Sequence, residues 1–340
     1  MRLNLSTIKE MTSGAVRIEE NENGINFYRF TKQQEDFYEK RSEDFYMKTF
    51  ATSGIQLRFR TNSQTLFIKT EIASGSSRSY FAIDVFVNGE KIESISNFSG
   101  VELPDDYTQA SLPLGEFFKN FDIGLGEKEV QIYLPWSVKL TLKELSVDDG
   151  AYIQPIRRSH KMLCFGDSIT HGYDALYPSN KYISKLAEML DAEEYNKAIG
   201  GEIFAPELAY IKDDFDPDYV VVAYGTNDWN LSTKEEFTYN CREFFRNLNM
   251  NYPHSKIFAI TPIWREESDK IRRVGEFKCV GEIIQKQAEA FENIYTVKGF
   301  EFVPQDKNLF ADFRLHPNDE GFGFYFENLA KCIKDILQES

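Results

Sequence analysis

Residues 162–170 read Met-Leu-Cys-Phe-Gly-Asp-Ser-Ile-Thr, a short apolar run followed at once by a turn signal. The four apolar residues predict a buried strand, and Gly166 and Asp167 predict the turn that ends it. A serine at a strand-to-helix turn has an exposed hydroxyl, and its own N–H points toward an incoming oxygen. Ser168 is therefore a candidate nucleophile, although the same position also suits a residue that caps the following helix.

From residue 160 onward, the chain alternates predicted strands with predicted helices. Apolar runs predict strands at 162–165, 219–224, 257–260 and 294–297, and a further strand is predicted near 193–198. Longer stretches predict helices at 180–191, 233–250, 268–292 and 320–337. The run at 219–224 is apolar throughout, which is typical of a strand covered on both faces. The alternation predicts a parallel sheet with helices on both faces, a fold class whose sites lie at the carboxyl ends of the strands.

Before residue 155, the dominant pattern is an alternation of apolar and polar residues. Such stripes centre on residues 55–59, 81–87, 130–134 and 138–142, and Asn88-Gly89 is a strong hairpin turn signal. Several half-buried strands separated by turns predict a β-sandwich or jelly roll. Residues 154–158 have the character of a linker, so we predict one domain at 1–155 and a second at 156–340.

Composition excludes several classes of protein. The chain has 340 residues, 42% of them hydrophobic, and its formal charge is −15, from 39 basic and 54 acidic side chains. An acidic chain repels phosphate backbones and anionic lipid headgroups, so nucleic-acid and membrane partners are not expected. The four cysteines match no zinc pattern and are few for a disulfide scaffold. With no apolar leader-like run in residues 1–10, the expected location is the cytoplasm.

Three further segments fall where the α/β pattern predicts loops. Gly201 lies in a glycine pair after the second strand, where a bare backbone can approach a ligand closely. Asn227 follows the strand at 219–224, and its amide could donate to a developing oxyanion. His316 is the histidine of the four that has an acid, Asp312, shortly before it and a loop-before-helix position. Taken singly, each segment also fits an ordinary turn or a structural histidine.

Together, the four segments resemble the SGNH (GDSL-type) serine esterases and acylhydrolases over about residues 160–340. Gly166-Asp167-Ser168 is similar to the family's first block, and Gly201, Asn227 and His316-Pro317 are similar to the other three. The resemblance implies a flavodoxin-like, three-layer α/β/α domain preceded by the all-β, jelly-roll-like sandwich. It also implies an oxyanion hole made by the N–H groups of Ser168 and Gly201 and the Asn227 amide, and no metal or organic cofactor.

The acid of the implied catalytic triad departs from the family spacing. The family's acid normally lies three residues before the histidine, where this chain has Phe313, whereas Asp312 lies four residues before it. The implied roles are Ser168 as nucleophile, His316 as general base and Asp312 as the acid, with a Ser–His dyad as the alternative. Asp167 is expected to be a local structural acceptor.

The substrate is less closely defined by the sequence. Trp229, Trp264 and Arg265 follow predicted strands and could line an acyl or alcohol pocket, although abundant aromatic residues also fill cores. An N-terminal β-sandwich ahead of such a domain resembles the carbohydrate esterases that deacetylate sugars, as does the Tyr-Leu-Pro-Trp stretch at 133–136. We expect a small acyl ester as partner, with an acetylated sugar as the favoured class. The alternatives are a lysophospholipase or thioesterase and a non-catalytic carbohydrate-binding protein.

Overall fold

The structure is a computed structural model that describes residues 1–339. The chain divides into two compact units. The first comprises Met1–Ser159 with the short segments Leu176–Ser179 and Glu193–Tyr195, and the second comprises the remaining residues from His160 onward. None of the helices in the described part of the chain is long and apolar enough to cross a membrane.

The first unit is built mainly from antiparallel strands. Its strands are β1 (Thr12–Ser13), β2 (Arg17–Asn21), β3 (Gly24–Tyr28), β4 (Gln56–Thr61), β5 (Thr65–Ser74), β6 (Ala82–Val87), β7 (Glu90–Ser96), β8 (Gly115–Asp122), β9 (Lys128–Tyr133), β10 (Val138–Val147) and β11 (Gln154–Pro155). Its helices are α1 (Leu5–Met11), α2 (Lys32–Arg41) and α3 (Glu43–Lys48). One sheet has the order β1-β4-β9-β6-β7, with β11 paired to β4, and the other has the order β2-β3-β10-β5-β8.

The two sheets form a β-sandwich around one apolar core, as the alternating stripes predict. In the β4–β9 pair, Leu57 lies opposite Ile132 and Phe59 lies opposite Val130, and all four side chains are buried in the core. The intervening Arg58 is only partly buried. Successive side chains of a strand point to opposite faces, so this register places every second residue inside.

The second unit is an α/β domain. Its sheets contain β12 (His160–Gly166), β13 (Ala192–Asn196), β14 (Tyr219–Ala223), β15 (Lys256–Ile260), β16 (Ile271–Arg272), β17 (Gly275–Glu276) and β18 (Ile294–Val297), although Glu193–Tyr195 of β13 are grouped with the first unit. Its helices are α4 (Ser168–His171), α5 (Tyr182–Met189), α6 (Pro206–Tyr210), α7 (Asp228–Leu231), α8 (Lys234–Asn251), α9 (Lys278–Ala288) and α10 (Asp319–Glu339).

Five of these strands form a sheet in the order β13-β12-β14-β15-β18. When the five strands of this sheet are numbered by their order along the chain, they lie in the order 2-1-3-4-5, which is the flavodoxin-like arrangement that the resemblance implies. β12, β14, β15 and β18 pair in parallel, so their carboxyl ends meet at one edge. The order reverses between β12 and β14, and ligands in such sheets bind at this reversal. The loops that carry Ser168 and Asn227 leave the sheet there.

Two local predictions are wrong. Residues 268–292 do not form one helix, because their first part is the hairpin of β16 and β17 and only α9 is helical. Gly275 has a φ of +121°, which favours glycine and breaks a helix, and its carbonyl accepts a hydrogen bond from the indole N–H of Trp229 at 2.8 Å.

The second wrong prediction is the linker at residues 154–158, which begins with a short strand. Its first two residues form β11, in which Gln154 lies opposite Arg60 and Pro155 lies opposite Phe59. Ile156 extends the contact by donating its N–H to the carbonyl oxygen of Arg58 at 3.0 Å. A proline has no N–H to donate, so a short edge strand is a position that tolerates it.

We predict that Ile132→Ala destabilises the sandwich strongly. Ile132 is 2% exposed within the core, and deleting a buried isoleucine to alanine costs about 2–5 kcal/mol of unfolding free energy. Ile92 lies on β7 of the same sheet and is 40% exposed, so Ile92→Ala is a matched control with a change within about 0.5 kcal/mol. Calorimetric unfolding measures both, and equal effects of the two variants would contradict the assigned core.

Candidate active site

Ser168 is the first residue of α4 and lies two residues after the end of β12. The carboxylate of Asp167, rather than the serine hydroxyl, caps this short helix by accepting the N–H of Ile169 at 3.0 Å. Asp167 thus has the local structural role that the sequence predicts. The hydroxyl of Ser168 remains available for another partner.

That partner is the imidazole of His316. Its Nε2 lies 2.8 Å from the Oγ of Ser168, across 148 positions of the chain. His316 lies in the loop before α10, where its carbonyl accepts the N–H of Ala311 at 2.8 Å and Phe310 forms a β-bridge with Pro317. The loop is therefore fixed by backbone bonds on both sides of the histidine.

Asp312 contacts the other ring nitrogen despite its unusual spacing. Its Oδ2 lies 3.0 Å from Nδ1 of His316, and its Oδ1 accepts the N–H groups of Arg314, Leu315 and His316 at 2.7–3.1 Å. Phe313 has a φ of +54°, a left-handed turn that folds the chain back on itself. This turn explains how an acid four residues before the histidine reaches its ring.

A second carboxylate, which the sequence analysis did not single out, meets the same nitrogen. Oδ2 of Asp174 lies 3.1 Å from Nδ1 of His316, and the Asp174 side chain is fully buried. Asp174 follows the nucleophile by six residues, in a segment that carries no motif. No spacing pattern in the sequence indicates Asp174, because only the folded chain brings the segment after α4 into contact with His316.

These charges change how the imidazole titrates. Burial lowers the pKa of His316, but the carboxylates of Asp174 and Asp312 outweigh it and raise the pKa to about 9. For the acid Asp312, burial acts in the opposite direction and raises the pKa. The hydrogen bonds from the His316 ring and from backbone N–H groups outweigh burial and hold the pKa of Asp312 well below its usual range. At neutral pH, the acid is ionised and the imidazole is largely protonated.

The glycine loop predicted for the oxyanion hole is anchored beside Ser168. Gly201 has a φ of +91°, a conformation that L side chains rarely adopt. The preceding N–H groups are held, since Ile199 donates to the carbonyl of Gly166 at 3.1 Å and Gly200 donates to Nδ1 of His171 at 3.3 Å. Accepting through Nδ1 places the proton of a neutral His171 on Nε2, which makes His171 a support of this loop.

Asn227 is tied to the same loop. Its Nδ2 donates to the carbonyl of Glu202 at 2.9 Å, and an amide group has a second hydrogen to offer. Within residues 1–339, the backbone N–H groups of Ser168 and Gly201 donate no hydrogen bond. The three predicted oxyanion donors therefore come from loops that are linked to one another.

The residues predicted to line a substrate pocket lie largely inside the protein. Trp229 is fully buried and packs edge-on against Phe277, with its indole N–H bonded to Gly275, so it is a packing residue in contrast to the prediction. Trp264 is 9% exposed and packs against Phe310.

Arg265 is 3% exposed and is likewise engaged with protein groups. Its guanidinium donates to the carbonyl and hydroxyl oxygens of Thr226 at 3.3 Å, and to the carboxylate of Glu267 at 2.6 Å. Because Thr226 precedes Asn227, Arg265 supports the loop that carries the predicted oxyanion donor.

Two fully buried acids lie beneath these loops. Burial raises the pKa of Asp167 to about 7. Burial also raises the pKa of Asp228 to about 8, a shift that the nearby carboxyls of Asp167 and Glu202 increase and the N–H of Phe204 opposes. Asp228 is therefore largely neutral at pH 7, and this part of the site carries less negative charge than its composition indicates.

One group of side chains in the described part of the chain is close enough to hold a metal ion, and it comprises Asp174, Asp312 and His316. The hydrogen bonds of the His316 ring already account for the short distances in this group. We therefore interpret these three side chains as a histidine hydrogen-bonded to two carboxylates.

Comparison with known proteins places this geometry in a family. Residues 164–323 match the GDSL-like Lipase/Acylhydrolase family, and a search of curated proteins finds no match. Among solved structures, the salicylyl-acyltransferase SsfX3 from a tetracycline biosynthetic pathway is 19% identical, with 96% of this chain and 94% of that chain covered and a TM-score of 0.76.

Two carbohydrate esterases have a similar fold. A family two carbohydrate esterase from Clostridium thermocellum, solved with cellohexaose, is 16% identical over 96% of this chain and 99% of that chain, with a TM-score of 0.67. The acetyl xylan esterase Est2A from the rumen bacterium Butyrivibrio proteoclasticus is 17% identical over 85% of this chain and 91% of that chain, with a TM-score of 0.59.

At these identities, the structural matches concern the fold, and they extend over both units of the chain. The family match spans the segments that contain Ser168, Gly201, Asn227 and His316. The C-terminal half of this chain is therefore a GDSL-like lipase/acylhydrolase domain of the SGNH type, a member of a family of esterases.

Proposed function

We propose that the protein is a serine esterase that removes a short acyl group, acetyl in the first instance, from a carbohydrate or glycoside. The observation that carries this proposal is the 2.8 Å contact between Oγ of Ser168 and Nε2 of His316, with carboxylates on the opposite ring nitrogen. A nucleophile, a base and an orienting acid in hydrogen-bond reach are the arrangement that covalent acyl transfer needs.

The first half of the reaction forms an acyl-enzyme. Neutral His316 takes the hydroxyl proton of Ser168 as Oγ attacks the carbonyl carbon of the ester. The carbonyl oxygen becomes an oxyanion, which the N–H groups of Ser168 and Gly201 and the amide of Asn227 stabilise. Each donor of this kind lowers the barrier by about 2.7–4 kcal/mol. The imidazolium then protonates the leaving alcohol, and the C–O bond breaks.

The second half repeats these steps with water. His316 takes a proton from a water molecule, whose oxygen attacks the acyl carbon, and the same donors hold the second oxyanion. Collapse of this intermediate returns the proton to Oγ of Ser168 and releases the carboxylic acid. The site residues in these steps are Ser168, His316 and Asp312, with Gly201 and Asn227 as oxyanion donors.

The similarity of the fold supports an ester of a sugar as the substrate. The fold of both units is similar to that of proteins described as carbohydrate esterases and an acetyl xylan esterase.

A second candidate is an acylhydrolase for long chains. Thr261 and Pro262, which follow β15, border a cavity of about 480 Å³, whose lining also includes Phe277 and Phe300. Pockets of this size are typical of small-molecule sites. A long acyl chain would fit a cavity of this size.

We predict that the protein hydrolyses p-nitrophenyl acetate and that Ser168→Ala lowers kcat by roughly 10⁴–10⁶-fold, because the reaction loses its nucleophile. Release of nitrophenolate, followed by absorbance, measures this effect. Ser232, which is also buried and lies in the same domain, gives the matched control Ser232→Ala, which retains activity. Equal activity in wild type and Ser168→Ala would contradict the assignment.

We also predict a preference for short chains. Across p-nitrophenyl esters from acetyl to octanoyl, kcat/KM is expected to be highest for acetyl, which is the acyl group of the proposed substrate and is named in the description of a structurally similar acetyl xylan esterase. Release of acetate from an acetylated xylo-oligosaccharide tests the carbohydrate part of the proposal. A kcat/KM that rises toward octanoyl would favour the long-chain candidate instead.

A further inference from the structure

The Nδ1 atom of His316 has two carboxylates within hydrogen-bond distance. Oδ2 of Asp312 lies at 3.0 Å and Oδ2 of Asp174 at 3.1 Å. The two acids come from different parts of the domain, since Asp312 precedes the histidine in its own loop and Asp174 follows α4. An imidazole Nδ1 carries one hydrogen, so the two carboxylates share a single donor.

The backbone around Asp174 is shaped to bring this acid to the ring. Gly172 ends α4 with a φ of +116°, and Asp174 has a φ of +72°, which is uncommon for a residue with a side chain. Between them, Tyr173 packs its ring 5.8 Å from that of His316, at an angle of 33°. Strained conformations of this kind persist where the surrounding structure determines them, and they cluster at active sites.

Asp174 is also the more deeply buried of the two acids. Its side chain is 0% exposed, whereas that of Asp312 is 14% exposed. The Oδ1 atom of Asp312 already accepts three backbone N–H bonds, which fix its loop. A charge that is shielded from water acts more strongly on its neighbour, so Asp174 is well placed to influence the imidazole.

We propose that Asp174 is a second acid of the catalytic group and shares the Nδ1–H of His316 with Asp312, so that a tetrad replaces the expected triad or dyad. The inference rests on the proposed role of His316 as the base. Asp174 contacts no substrate in this scheme and acts through His316, so it is a positioning residue. With two acids, the ring remains oriented when either one is removed.

The second acid also determines the pH at which the base is competent. The charged and titratable groups that face the ring are Asp174, Asp312 and Tyr173, with Ser168 on the Nε2 side and Asp167 near enough to interact electrostatically. His316 must be neutral to accept the serine proton, and its pKa lies at about 9. Activity is therefore expected to rise with pH, with its midpoint near pH 9.

The test uses Asp174→Asn, Asp312→Asn and the double variant, with kcat/KM for p-nitrophenyl acetate measured against pH. Asparagine tolerates the left-handed conformation better than other residues with side chains, so Asp174→Asn removes the charge and keeps the backbone. Its pH midpoint is expected to move down by about 1–3 units, the usual effect of losing one adjacent opposite charge. Each single variant is expected to retain substantial activity at its own optimum.

The double variant is expected to lose about 10⁴-fold in kcat, as serine hydrolases do when their sole acid is neutralised. Asp218, whose Oδ1 lies 3.3 Å from Nδ1 of His160, supplies a matched control outside the site. Asp218→Asn is expected to leave both kcat and the pH midpoint unchanged. A loss in Asp312→Asn as large as in the double variant would overturn the proposal.

A titration of the His316 ring by NMR separates this inference from the proposed function. The ring signal is assigned by its absence in His316→Ala, and its midpoint is compared in wild type and Asp174→Asn without any substrate. The expected result is a lower midpoint in the variant. An unchanged midpoint would overturn the role of Asp174. An inactive wild type would contradict the esterase proposal, but the titration, which needs no substrate, would still show whether Asp174 raises the pKa of His316.

Discussion

The hydrogen bond between Oγ of Ser168 and Nε2 of His316 is the contact on which the account of this site depends. It joins the first turn of the α/β domain to the loop before its last helix. The parallel pairing of β12, β14, β15 and β18 places the carboxyl ends of these strands at one edge of the sheet, and Ser168, Asn227 and His316 all lie in loops that follow such ends. The fold thus gathers residues that lie far apart in the chain.

Unusual backbone conformations recur at each part of the site. Phe313, Asp174 and Gly201 all have positive φ values, one in each of the three segments that supply the acid, the second carboxylate and an oxyanion donor. Each turn places a polar group where a regular helix or strand could not. The Asn227 loop is supported separately, by the buried Arg265, which donates a hydrogen bond to the hydroxyl of Thr226.

Electrostatics and catalysis are linked through the carboxylates around His316. In the proposed mechanism, the fully buried Asp174 and the mostly buried Asp312 would stabilise the imidazolium that forms when the serine proton is transferred. The same charges keep the resting base protonated at neutral pH, because the pKa of His316 is about 9. The site therefore favours the charge separation of the transition state at the cost of a base that is fully available only in alkaline solution.

Much of the fold follows from the sequence because its signals are local. The alternation around Leu57 and Phe59 predicts a strand with one buried face, and the structure has β4 there. The apolar run at 219–224 predicts a strand buried on both faces, and the structure has β14 there. The hairpin of β16 and β17 could not be predicted in this way, since it depends on the distant Trp229 as well as on Gly275.

The residues of the site also differ in whether a local sequence signal indicates them. Ser168 and His316 stand in short motifs that resemble a family, so the sequence alone predicts that they meet. Asp174 stands in no motif, and its proximity to His316 arises from tertiary structure. The left-handed turn at Phe313, which decides whether Asp312 reaches the ring, is likewise a property of the folded loop.

The most direct measurement is covalent labelling of the wild-type protein with a fluorophosphonate, followed by peptide mapping. Such a probe reacts with a serine whose hydroxyl is activated by a neighbouring base. We expect a single modified residue, Ser168, with labelling that is strongly slowed in His316→Ala. Modification at another residue, or labelling of Ser168 at an unchanged rate in His316→Ala, would contradict the activation of Ser168 by His316.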